Sequence, residues 1–184
     1  MPMADWIALD RLLVDAQPGR DIGLCEGVAL DHSAFRLRVL AWRDAFAAAE
    51  GRDWALYFDD AIAFAAALFG AWHAGKRVFL AADNLPATLQ ALQPQVSGFA
   101  GDVSADYRPL TPAVAAEGVL QVLDERACEL CVFTSGSTGQ PSAINKRMDQ
   151  LAREVDALQA AFGAQLDGVQ VHGTVSHQHI YGLL

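Results

Sequence analysis

The sequence predicts an α/β fold built on a parallel-rich sheet with flanking helices. Three observations carry that reading. Short apolar runs and amphipathic segments alternate from Trp54 to Leu92 in the order strand, helix, strand, helix, which is the rhythm of βαβ units. The rhythm resumes at Glu129, where an apolar run opens into a loop of Gly, Ser and Thr. And 184 residues, 53% of them hydrophobic, suffice to bury a substantial core around such a sheet.

Taken in order, Phe35, Val39, Leu40, Trp42 and Phe46 recur at helical intervals with Arg36, Arg38, Arg43 and Asp44 between them, and predict an amphipathic helix. Trp54 to Phe58 reads as a short buried strand. Asp59 or Asp60 caps the helix that follows, because a carboxylate accepts hydrogen bonds from the unpaired N–H groups of a first turn. Gly75 supplies the left-handed stop. Within that helix the Ala- and Phe-rich run Ala61 to Trp72 is core by its spacing. It is too short for a bilayer, which takes about 20 apolar residues. Val78 to Ala81 is a second strand, and Leu85 to Leu92 a second helix with Pro86 near its start, where a missing N–H costs nothing. Gly98 to Ala116 reads as loop with one poor strand. Leu130 to Phe133 is a strand. Leu151, Val155, Leu158 and Phe162 then share one side of a helix from about Asp149 to Phe162, with Asp149, Arg153, Glu154 and Asp156 on the other. Val169 to Val175 is a final strand.

Thirteen basic residues against twenty-two acidic ones give a net charge of −9, and no basic cluster is longer than Lys146-Arg147. Such a surface repels nucleic acid and anionic lipid, which excludes both as partners. Met1 to Arg11 carries Asp5 and Asp10 and no basic region, unlike a signal peptide, so the expected location is cytoplasmic. The odd count of Cys25, Cys128 and Cys131 argues against a disulfide framework. Cys128 and Cys131 have the CxxC spacing of redox and zinc sites. In a strand, however, residues three apart point to opposite faces, so these two read as small buried hydrophobes.

The chemistry is concentrated in Thr134-Ser135-Gly136-Ser137-Thr138-Gly139-Gln140-Pro141. Glycines let backbone N–H groups converge on an anion, and hydroxyls add donors that need no charge, so an apolar strand opening into this loop is suited to phosphate. A polar linker is the alternative reading of such a run. Neither the P-loop pattern GxxxxGK followed by Ser or Thr nor the dinucleotide pattern GxGxxG is present.

Phe133 to Pro141 resembles the signature of the adenylate-forming superfamily, in which two Ser/Thr positions precede Gly-Ser-Thr-Gly, a variable residue and Pro-Lys-Gly. That superfamily includes acyl-CoA synthetases, peptide-synthetase adenylation domains and luciferases. Downstream, His179-Ile180-Tyr181-Gly182 resembles the HxxG element of its acyl pocket. Ala55 to Asp60, Gly70 to Lys76 and Asp83 to Pro86 look like the ligases of aryl polyene and xanthomonadin pigment pathways, which load an acid onto a carrier protein. The resemblance covers the chain from about Trp54 to Leu184. One departure stands out: Ser142-Ala143 replaces the Lys-Gly that follows the proline in the family. Lys146 or Arg147 would have to reach back, across roughly 13 Å of extended chain for Lys146.

The resemblance implies ATP-dependent conversion of an aryl or fatty acyl acid to an acyl-adenylate, then transfer to a thiol of CoA or an acyl carrier protein, with ATP and Mg²⁺ as cofactors. Thr134, Ser135, Gly136, Ser137, Thr138 and Gly139, with Lys146, would hold the phosphates. His179 would sit beside the acyl carboxylate. It further implies that residues 1–184 are the N-terminal part of a large adenylation domain, inactive without the rest of that domain and a C-terminal domain. The rival is a non-catalytic truncated homologue that keeps the fold to bind a partner. His177 and His179 form an HxH pair on one face of an assumed strand but lack a third metal ligand nearby, so no metal site is assigned. His32, His73 and His172 belong to no constellation.

Overall fold

The computed structural model describes residues 7–15, 19–25, 27–113, 118–134, 142–165, 169, 175–179 and 182–183. Five strands form one sheet in the order β5-β3-β4-β6-β7. They are β3 (Asp53–Tyr57), β4 (Arg77–Leu80), β5 (Gly98–Gly101), β6 (Glu129–Thr134) and β7 (Ser142–Arg147). The first four run parallel. β7 pairs antiparallel with β6 over six residues, from Glu129 opposite Arg147 to Thr134 opposite Ser142. A separate hairpin, β1 (Asp21–Cys25) and β2 (Val28–Asp31), leads into α1 (His32–Ala48). The predicted α/β class is therefore what the chain adopts, with one antiparallel edge added.

The period-2 alternation of side chains sorts this sheet into two cores. Trp54, Leu56, Val78, Leu80, Leu130 and Val132 face α1 and α2 (Ala61–His73). Ala55, Phe79 and Cys131 face α3 (Pro86–Leu92) through Leu89 and Leu92. Cys131 lies in β6 and Cys128 just before it, and the two are buried in different cores. Burial holds both thiols neutral and pushes Cys128 up to about 12, helped by Asp124 and Glu125.

Helix boundaries follow local chemistry. Asp31 and Asp60 cap α1 and α2, accepting from Ala34 N and Ala63 N at 2.7 Å. Gly75, at φ 71°, ends the turn after α2. α2 is apolar on nearly every side because α1, β3 and β4 surround it, and each fully buried Phe or Leu contributes about 1.5–3 kcal/mol. A side chain at Gly70 would run into Trp42 and the Arg43 backbone, so glycine sets how closely α1 and α2 approach. Trp42 stacks on Phe46 at 5.5 Å and meets the edge of Phe58 at 5.6 Å.

The strand expected within Gly98 to Ala116 is present, and the buried side of α4 is shorter than its periodicity suggests. Gly98–Gly101 is an edge strand of the main sheet, and the chain then wraps back so that Leu110 N donates to Phe99 O at 2.8 Å. In α4 (Met148–Phe162) the apolar side is buried only at Met148 and Leu151, while Leu158 and Phe162 are about half exposed. Most of the expected strand Val169 to Val175 lies outside the described residues. Among the described residues, no helix is long and apolar enough to cross a membrane.

Candidate functional site

The parallel strands present their carboxyl ends along one edge of the sheet. From adjacent strands β3 and β4, the crossovers through α2 and α3 leave toward opposite faces. Such a divergence opens a crevice between the strand ends, where open α/β sheets bind ligands. Phe58-Asp59-Asp60 follows β3 at that edge and Ala81-Ala82-Asp83 follows β4. Leu56, Leu80 and Val132 stand in line across β3, β4 and β6. Phe58 and Thr134, each two residues further on, are thus level and about 10 Å apart across two strand spacings.

Thr134 ends β6 at this edge. Ser135, Gly136, Ser137, Thr138, Gly139, Gln140 and Pro141 lie outside the described residues, as do Ile180 and Tyr181 of the HxxG element. What the structure gives for the loop is its two anchors, Thr134 and Ser142, paired across β6 and β7.

His179 sits not in a strand but in a compact turn. Its N–H donates to Ser176 O at 3.0 Å, and its carbonyl accepts from Gly182 N at 2.9 Å and Leu183 N at 3.1 Å. A side chain at Gly182 would run into the carbonyls of Ser176 and Val175, which explains the glycine of this element. The turn is pinned to the crevice by its neighbours. Gln178 Nε2 donates to Phe58 O at 2.7 Å, and His177 Nε2 lies 2.9 Å from the same oxygen. The His177 ring packs on Phe64 at 4.7 Å. Gln178 is buried, His177 half-buried and His179 exposed, so the pair of histidines shares no strand face. Sequence reasoning missed Gln178 and the Phe58 carbonyl, and no pattern near either residue signals a contact 120 residues away.

Lys146 is held away from the loop's anchors. It pairs with Leu130 near the other end of the β6–β7 hairpin, four residues beyond Ser142, and its ammonium donates to Glu154 at 2.8 Å. The expectation that it replaces the missing lysine therefore meets a geometric obstacle: extended backbone holds it roughly 13 Å along the strand from Ser142.

The crevice is electronegative. Burial raises the Tyr57 phenol above its ordinary pKa, and a hydrogen bond to Asp59 with the charges of Asp59, Asp83 and Asp102 adds to the rise. These carboxylates also organise backbone: Asp102 accepts from Asp59 N at 2.8 Å and Asp83 from Leu85 N at 3.1 Å. Among the described residues no three potential metal ligands converge.

No family model matches the sequence, and no curated protein matches it. Solved structures do match. VinN superposes with a TM-score of 0.68 at 19% identity, over 96% of this chain and 55% of VinN. The o-succinylbenzoate CoA synthetase MenE of Bacillus subtilis, in complex with its acyl-adenylate intermediate, gives 0.62 at 18% identity over 86% of this chain and 46% of MenE. The N-terminal subdomain of Klebsiella oxytoca NpsA, bound to 3-hydroxyanthranilyl-AMSN, gives 0.60 at 14% identity over 79% and 42%. The chain spans about half the length of these structures. At such identities the likeness establishes the fold alone, the α/β arrangement that this chain shares with part of each of those structures.

Proposed function

We propose that residues 1–184 are the N-terminal part of a large adenylation domain, and that the protein containing them is an AMP-forming acid–thiol ligase. The supporting observation is the coincidence of two motifs on one edge of this fold: the Ser/Thr/Gly run begins at Thr134, level with the Phe58 carbonyl that anchors the His179 turn.

A carboxylate is a poor acyl donor because its leaving group would be oxide. The proposed route has one carboxylate oxygen attack the α-phosphorus of ATP while the bond to pyrophosphate breaks, giving an acyl-adenylate. A thiolate of CoA or of a carrier protein then takes the acyl group and releases AMP. Mg²⁺, when bound, offsets charge on the phosphates. The chain's own part is positioning and donation. Backbone N–H groups at Gly136 and Gly139 and the hydroxyls of Thr134, Ser135, Ser137 and Thr138 hold the β- and γ-phosphates. His179 orients the acid. Lys146 is assigned no part in this shell. The acid is aryl or fatty acyl; the narrower pigment-pathway resemblance favours an aryl acid and a carrier-protein acceptor.

The test is ATP–pyrophosphate exchange with a panel of aryl and fatty acids, using a polypeptide that joins this chain to the remainder of the domain. Exchange that depends on the acid and falls about 100-fold or more in His179→Ala is expected. Silence across the panel would favour the second reading, a binding module that keeps the fold, which the Ser142-Ala143 departure supports. Residues 1–184 alone are expected to give no exchange.

A further inference from the structure

The opposite edge of the sheet, where β4 and β6 begin and β7 ends, holds a solvent-open cavity of about 360 Å³ lined by Arg77, Glu129, Asn145, Lys146, Arg147 and Gln150. It lies at the Glu129–Arg147 end of the β6–β7 hairpin. The loop anchors Thr134 and Ser142 stand five residues away, about 17 Å of strand. We propose that this cavity is a binding site for a phosphate group, separate from the proposed nucleotide site and independent of that reading.

The argument is one of uncommitted donors. Arg77 places Nε and Nη2 on Asp53, at 2.7 and 2.9 Å, and Arg147 places the same two atoms on Asp149, at 2.9 and 3.2 Å. A guanidinium carries five N–H groups, so these contacts leave both Nη1 hydrogens and one on Nη2 of each arginine for a ligand. Lys146 gives one of its three hydrogens to Glu154. Gln150 Oε1 accepts from Arg147 N at 2.9 Å, which leaves its amide hydrogens. The carboxylate partners hold the cations in fixed orientations, and such preorganisation lowers the ordering cost of binding.

Charge points the same way. Among the lining residues Arg77, Lys146 and Arg147 stand against the single carboxylate of Glu129, in a chain carrying −9 overall. The lining residues carry two guanidiniums, an ammonium and two amides as potential donors. A tetrahedral phosphate offers oxygens in three directions to meet them, where a planar carboxylate satisfies one fork. Glu129 is the one carboxylate in the lining, and it accepts from Arg52 at 3.0 Å. Its other oxygen suits a hydroxyl on the ligand, which favours a small hydroxylated phosphate ester over inorganic phosphate.

The test is an NMR titration of the full chain at fixed ionic strength with inorganic phosphate, glycerol phosphate, benzoate and chloride. The signals followed are Nε–Hε of Arg77 and Arg147 and the Gln150 side-chain amide. Saturable shifts with both phosphates below about 10 mM, stronger for glycerol phosphate, are expected. Arg77→Lys, which keeps the charge facing Asp53 but loses the fork, and Lys146→Met should each weaken binding by about tenfold. Ser137→Ala should leave it unchanged. Equal shifts with benzoate or chloride, no saturation, or indifference to both cavity variants would overturn the proposal. So would loss of the shifts in Ser137→Ala, which would assign the bound phosphate to the loop. Inorganic phosphate binding as tightly as the ester would remove the role given to Glu129.

Discussion

At the carboxyl edge of the sheet the chain turns on backbone geometry, whereas at the amino edge a row of ion pairs is added to the glycine turns at Gly51 and Gly75. The first edge has Gly101 at φ 99°, a capping carboxylate at Asp60, a turn closed by Asp83 on Leu85 N, and a buried amide that ties residues 176–179 to Phe58. The second has Arg52 on Glu129, Arg77 on Asp53, Lys146 on Glu154, and Arg147 with Arg153 on Asp149. Backbone geometry is indifferent to salt and has few alternatives, while exposed ion pairs are screened and replaceable. The contrast also matches the two ligands proposed: a loop of neutral donors can form only where the strand ends are fixed, and a cationic cavity tolerates looser support.

The largest effect is expected at Gly101. Its φ of 99° suits glycine, and a Cβ there would run into the Tyr57 carbonyl and the Phe58 ring. Gly101→Val should cost roughly 2–4 kcal/mol in denaturant unfolding, equally at low and high salt. A cost under about 1 kcal/mol would mean that β5 and Phe58 shift freely, and the carboxyl edge would lose its claim to rigidity.

The amino edge should reveal itself by pH. His73, in the last turn of α2, has its pKa lowered from 6.5 to about 4 by burial and, secondarily, by Arg43. Its Nε2 is buried without a partner among the described residues, as suits a neutral ring. The folded state therefore disfavours the proton that the unfolded chain accepts. Stability from this group is complete above about pH 6.5 and is lost as pH falls toward 4. After discounting for partial exposure the loss is roughly 2 kcal/mol. Unfolding midpoints between pH 7 and 5 should drop for the native chain and drop less for His73→Phe. Parallel curves would show that His73 titrates normally.

Much of this was legible locally. The helices α1, α2 and α4 and the strands β3, β4 and β6 follow from periodicity and from caps such as Asp60 and Gly75, which act within a few residues. β7 was not legible: Ser142-Ala143-Ile144-Asn145-Lys146-Arg147 holds one large apolar residue, and it is a strand because β6 supplies six partners. α4 shows the limit of a pattern, since periodicity identified its apolar side but could not say that Leu158 and Phe162 stand half exposed. At the candidate site the loop motif was readable because its chemistry is contiguous. The Phe58 carbonyl was not, because a backbone oxygen leaves no mark in the sequence. Lys146 is kept from the loop's anchors by its place four residues along β7 and by its ion pair with Glu154, neither of which its position in the sequence reveals.

The smallest effect should come from Arg52. Its guanidinium meets Glu129 at 3.0 Å, but the two side chains are 59% and 35% exposed. In that setting Coulomb attraction is weak and immobilising two long side chains offsets much of it, so Arg52→Ala should cost about 0.5 kcal/mol or less. Whatever remains at low ionic strength should vanish near 1 M salt, where the screening length is about 3 Å. A cost above about 1.5 kcal/mol that survives salt would carry a different message. It would mean that Arg52, Glu129, Arg77 and Asp53 act as one coupled unit across the starts of β3, β4 and β6, so that the amino edge is as geometrically fixed as the carboxyl edge.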